Sequence, residues 1–175
     1  AQAADDIDTR VRALDGLGDV HRARSETDGM ASVIQALEGE RASGRVESDS
    51  PSASCVFASL GDLYKATGSA GEAAERYAAA ADVESTNLGH QLEAARLLAE
   101  GGQPSRALIY LERGEGMRGV PEHSEVERTV HDALHAAGQA ELLDSPSYAK
   151  AEALAAFEAF DRGEITVQSK VKIRL

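Results

Sequence analysis

Tryptophan is absent from this chain of 175 residues, which holds only three phenylalanines and four tyrosines. With 42% apolar but 4% aromatic residues, any core has to be assembled mainly from alanine and leucine. A single cysteine, Cys55, excludes an internal disulfide and leaves the redox compartment open. No apolar run approaches the ~18 residues of a membrane-crossing helix, so membrane insertion of this segment is not expected. Basic residues are also scarce: 18 Lys and Arg stand against 30 Asp and Glu, a formal charge of −12. Clustered cations supply affinity for a phosphate backbone, and the longest cluster here, Lys170 to Arg174, is short and terminal. Nucleic acid is therefore not an expected partner. There is no initial methionine; the opening AQAADD carries an Ala-x-Ala pattern of the kind signal-peptide removal leaves, although a trimmed chain could begin the same way. A cytoplasmic location is favoured, and a periplasmic or secreted one fits the alternative.

What the chain does have is self-similarity. The stretch LDGLGDVHRARSETDGMASVIQAL (14–37) lies over FASLGDLYKATGSAGEAAERYAAA (57–80) without a gap. Leu14 falls on Phe57, Leu17-Gly18-Asp19 on Leu60-Gly61-Asp62, His21 on Tyr64 and Ile34 on Tyr77. The later half returns in 92–111 through Ala94-Ala95, Leu98, Gly102, Ala107 and Leu111. Within each copy the apolar residues recur at three- and four-residue steps, which predicts a pair of amphipathic helices. Gly68 and Gly102 fall between paired helices, where a left-handed residue is favoured. The large side chains read as knobs and the small ones, Gly61, Ala73 and Ala80 among them, as sockets. Tyr64 is expected to be substantially buried. The Ser- and Gly-rich stretch GERASGRVESDSPSAS carries loop chemistry.

Phe57, Leu60-Gly61, Tyr64, Ala73 and Tyr77 resemble the pattern of the tetratricopeptide repeat, W-x2-L-G-x2-Y followed by A-x3-F and a late Pro over about 34 residues. The late Pro is missing after the second copy, where Ser85-Thr86-Asn87 makes the turn; the third copy supplies Pro121. The resemblance implies an all-α, right-handed α–α superhelix. Its units are a first helix pair over 1–38, a polar loop over 39–53, further repeats over 54–87 and 88–121, and a degenerate repeat with a capping helix over 122–161. The tail 162–175 stands apart. In ITVQSKVKIRL (165–175) polarity alternates with period two, which predicts a β-strand needing a partner. Self-association through 165–175 is one way to provide it.

Three motifs suggest chemistry. HDALH places His131 and His135 four residues apart, as in the zinc-protease motif H-E-x-x-H, but Asp132 stands where that motif has its general base. His123 or Glu141 would have to serve as a third ligand, without a recognised spacing, and the histidines read instead as the wet flank of a repeat helix. GEGMRG (114–119) matches G-x-G-x-x-G but follows a helical pattern rather than a strand, so its glycines read as a helix terminus. Cys55 has no histidine in local register to activate it and reads as a small packing residue. No catalytic residue, cofactor or resident metal is expected.

In tetratricopeptide arrays the first helix of each pair lines a concave groove that binds an extended peptide or a partner helix. The resemblance therefore implies a groove formed by Arg12, Asp15, Asp19, Arg22, Asp62, Lys65, Leu92 and Arg96, with Ala58 and Ala99 between them. Asp19, Asp62 and Arg96 occupy the places where some members carry a carboxylate-clamping Asn, so that clamp is not reproduced. The three aspartates point to a partner with basic character. A non-catalytic scaffold is the expected function. The alternatives are a periplasmic repeat segment of a secretion or polysaccharide-export apparatus and, more remotely, a zinc-dependent hydrolase using HDALH.

Overall fold

A computed structural model describes residues 2–46, 50–114 and 120–143. The described chain is helical: α1 Gln2–Ala23, α2 Thr27–Ala42, α3 Pro51–Ala66, α4 Ala70–Val83, α5 Leu88–Glu100, α6 Pro104–Arg113 and α7 Pro121–Ala136, followed by a short 3-10 turn at Ala140–Leu142. Start signals are local. Ser50 caps α3 by accepting the Ala53 amide at 3.2 Å, and Asn87 caps α5 by accepting the His90 amide at 3.3 Å. Proline opens α3, α6 and α7, at a position whose amide would have no helical partner in any case. The described residues of the polar stretch 39–53 fall at the end of α2, in a turn over 43–46 and at the start of α3. The alternating segment 165–175 and the capping helix expected after Ser145-Pro146 lie outside the described residues.

Four turns share one construction, and they set the repeat. Ser25, Gly68, Gly102 and Gly138 have φ of 56°, 82°, 77° and 71°. In each case the next amide reaches back five residues: Glu26 to His21, Ser69 to Tyr64, Gln103 to Leu98 and Gln139 to Leu134, at 2.8–2.9 Å. This bond closes the helix end by satisfying a carbonyl that would otherwise lack a partner. Three turns use glycine, which adopts positive φ without steric cost; the first uses Ser25 and carries that cost.

The hairpins then stack. Each helix packs on its sequence neighbours, and first helices also meet directly, α1 against α3 and α5 against α7. The first helices, α1, α3, α5 and α7, are termed the inner row and the second helices, α2, α4 and α6, the outer row. Two apolar clusters run through the stack. One is built on Val11, Val33, Leu37, Val56 and Leu60, the other on the alanines of α4 and α5 with Leu98, Val130 and Leu134. Leu37, Leu60, Leu98 and Leu134 have no exposed surface, and complete burial of such a side chain stabilises the fold by about 1.5–3 kcal/mol.

Sockets and knobs are where the spacing puts them, with one exchange of roles. A Cβ at Gly61 would lie 2.6 Å from the Tyr77 ring, so Tyr77 occupies the space that glycine leaves. Tyr77 is 6% exposed. Tyr64, expected to be the buried knob, is only half-buried: it packs at the margin of both clusters and its hydroxyl donates to Glu38 at 3.3 Å. The reason is position. Tyr64 lies in the last turn of α3, where its tip reaches the carboxylate on α2, whereas Tyr77 crosses the middle of its hairpin.

Candidate functional site

The charged residues of the inner row join into a ladder across three repeats. Asp62, on α3, accepts from Arg22 of α1 at 3.0 Å and from the Tyr77 hydroxyl at 2.7 Å. Arg22 also pairs with Asp19 at 2.8 Å, one turn earlier. Lys65, near Asp62 at 3.8 Å, bonds Glu93 of α5. Glu93 takes Arg96 at 2.8 Å, and Arg96 reaches Glu100 at 2.9 Å. Asp15 accepts a hydrogen bond from Ser59 of α3.

Titration follows from these contacts. Burial, then the bond to Asp62, pushes the Tyr77 phenol well above its usual range. Partial burial opposes the charge on Arg22, but the hydrogen bond and field of Asp62 outweigh it and raise the guanidinium. Burial likewise opposes ionised Glu93, and its bonds to Arg96 and Lys65 nonetheless hold the carboxyl below the ordinary range. Arg96 is raised chiefly by its bond to Glu93. Exposed pairs of this kind contribute roughly 0–1 kcal/mol each, so the ladder fixes side-chain positions more than it holds the fold.

Between α1 and α3 the row has a shallow dent lined by Asp15, Gly18, Asp19, Arg22, Ser59, Asp62 and Leu63. Its volume is about 10 Å³, roughly the space one water molecule needs. Such a dent can seat the end of one side chain laid across it, but it cannot enclose a metabolite.

The groove residues read from the sequence fall into three groups. Asp15, Asp19, Arg22 and Asp62 converge on the dent, and Lys65 and Arg96 continue the ladder beyond it. Arg12 is exposed on α1. Leu92 is 6% exposed and lies in the core beneath Gly114, where it presents little surface to a ligand; Ala99 is buried as well. Cys55 departs from the packing role expected of it: its side chain is exposed on α3. Residual burial, then the nearby Asp15 carboxylate, raise its thiol pKa, which is opposite to what a nucleophile needs. His131 and His135 stand on α7, and among the described residues no three His, Cys, Asp or Glu side chains group as a metal site. Gly114 ends α6 as its C-cap, while 115–119 lie outside the described residues.

Sequence reasoning missed Glu93, Glu100 and Ser59, which complete the inner ladder. It also missed the outer pairs Glu75–Arg106 at 2.6 Å, Asp82–Arg113 at 2.7 Å and Glu38–Arg76 at 2.7 Å. A signal was present for some of them. Glu93, Arg96 and Glu100 have helical three- and four-residue spacing, and two outer pairs share one separation of 31 residues.

The sequence matches no protein-family profile and no curated protein. Among solved structures it is similar to a candidate kinesin light chain with nearly identical TPR-like repeats from Podosopora anserina. The two share 18% sequence identity and a TM-score of 0.56, over 95% of this chain and 81% of that one. The fold is thus an all-α stack of tetratricopeptide-type helical hairpins.

Proposed function

We propose that the chain is a non-catalytic interaction scaffold whose inner face holds an extended peptide or partner helix carrying basic residues. One observation carries this reading: three carboxylates, Asp15, Asp19 and Asp62, gather at the dent between α1 and α3, with Arg22 as the one cation lining it among the described residues. A Lys or Arg laid over the dent gains the field of Asp15 and Asp19 without displacing Arg22 from Asp62. Farther along, Lys65 and Arg96 are neutralised by Glu93 and Glu100, so they do not repel a basic ligand. The formal charge of −12 acts in the same direction at longer range, favouring encounter with cationic partners at low salt.

Binding of extended peptides graded from basic to acidic, measured by fluorescence anisotropy at several salt concentrations, tests the reading. Basic peptides should bind more tightly, and Asp15→Asn, Asp19→Asn and Asp62→Asn together should weaken them and flatten the salt dependence. Helical circular dichroism should persist, since asparagine keeps a side-chain oxygen to accept from Ser59 and Tyr77. Tighter binding of acidic peptides, or indifference to all three substitutions, would refute it.

A further inference from the structure

The outer face of α1 is built like an interface, yet none of the described residues covers it. The register that lays the first copy on the second pairs Arg10, Ala13, Gly16, Leu17 and Val20 of α1 with Ala53, Val56, Ser59, Leu60 and Leu63 of α3. All five α3 residues are buried, at 0–7% exposure, on the side of α3 that faces the first hairpin. Leu63, for example, packs onto the bare backbone at Gly18. All five α1 counterparts are exposed. Leu17 and Val20, at 45% and 43%, are the exposed large hydrophobic residues among those described.

The face is not a plain copy of the inter-repeat surface. Ala13 and Gly16 are smaller than Val56 and Ser59, and a Cβ at Gly16 would meet nothing within 4 Å. Arg10 replaces Ala53 and is tied to buried Glu40 of α2 at 2.7 Å. The result is one helical stripe, at steps of three and four residues, with two open sockets followed by two knobs. Such a stripe is complementary to itself when reversed. In an antiparallel pairing Leu17 meets Gly16 and Val20 meets Ala13, and both contacts occur twice, as a two-fold axis requires. The arginines at the ends of the stripe are also compatible with doubling: Arg10 is paired with Glu40, and Arg24 lies 3.9 Å from Glu26. No bare like charges need be brought together.

We infer that this α1 face is a docking surface for a second copy of the chain, forming a two-fold dimer through antiparallel α1 helices. The stripe belongs to one helix, so the interface falls at the small end of the range, below about 1,200 Å², and the dimer should dissociate on dilution.

Light scattering on the full chain over a concentration series tests this. The expected result is a mass rising from one copy toward two. Leu17→Glu should hold the mass at one copy. Ala13→Leu is the more discriminating variant: it adds apolar surface at an exposed helical position but fills a socket. Specific pairing predicts that it too gives a single copy, with circular dichroism unchanged, whereas unspecific sticking predicts more association. A single copy for the unaltered chain at every concentration, or dimers that survive both substitutions, would overturn the inference.

Discussion

Replacing Gly61 with alanine should destabilise the protein, although the same exchange at Gly39 or Gly71 should stabilise it. Alanine is favoured over glycine within a helix by about 0.8–1.0 kcal/mol. Gly39 and Gly71 are helical with nothing within 4 Å of an added Cβ, so alanine there should yield up to that gain. At Gly61 the added carbon lies 2.6 Å from Tyr77 Cδ2, 2.7 Å from Cε2 and 3.2 Å from Cγ. The ring has little freedom to retreat, because it is buried and its hydroxyl is held by Asp62 at 2.7 Å. Overpacking of this kind costs about 1–3 kcal/mol. After the propensity gain, a net loss of about 1 kcal/mol remains at the middle of that range, so Gly61→Ala and Gly39→Ala should differ by roughly 2 kcal/mol. Urea titration followed by circular dichroism reads this as midpoint shifts in opposite directions. In a Tyr77→Ala background the penalty at Gly61 should vanish, giving a coupling of at least about 1 kcal/mol. A Gly61→Ala protein as stable as the Gly39→Ala protein would refute the knob-and-socket account of the hairpin.

Further expectations concern turns, caps and pH. Ser25→Gly should stabilise the first hairpin by about 1 kcal/mol by relieving a positive φ, whereas Gly68→Ser should cost a similar amount; equilibrium unfolding checks both. Ser50→Ala should cost about 1 kcal/mol through loss of the α3 cap, seen as a lower urea midpoint. His90, half-buried beside Ser54, Tyr77 and Asn87, is lowered by burial, against the opposing fields of Glu84 and Asp62. Its folded pKa lies below its unfolded value, so the unfolded chain takes the proton first and stability falls as pH drops through about 6.5. Melting temperatures of the unaltered protein and of His90→Gln across that window should therefore diverge, with the variant losing less on acidification.

Much of the architecture is legible in the residues because repetition amplifies local signals. The glycines at 68 and 102 mark turns by φ alone, and the Leu-Gly pairs mark where helices approach. The first turn was harder to read, since Ser25 adopts the same φ without glycine's signature. Tyr64 and Tyr77 could not be ranked from spacing, because both sit at apolar positions; which one is buried depends on place in the hairpin, Tyr77 filling the space at Gly61 while Tyr64 stands in the last turn of α3. Leu92 shows the same limit, as the helical register places it near the inner row while Gly114 folds over it. The ladder was only half visible. Asp62 and Lys65 stand out as charged residues on one helix, but their partners Arg22 and Glu93 come from neighbouring hairpins, and sequence spacing does not encode that contact.

The proposal at the centre of this account is that the inner row binds a basic segment, and amide chemical-shift mapping tests it most directly. On titration with a basic extended peptide, shifts should concentrate at Asp15, Asp19, Ser59 and Asp62, weaken toward Lys65 and Arg96 and shrink as salt rises. Shifts confined to the outer helices α2, α4 and α6 would contradict it.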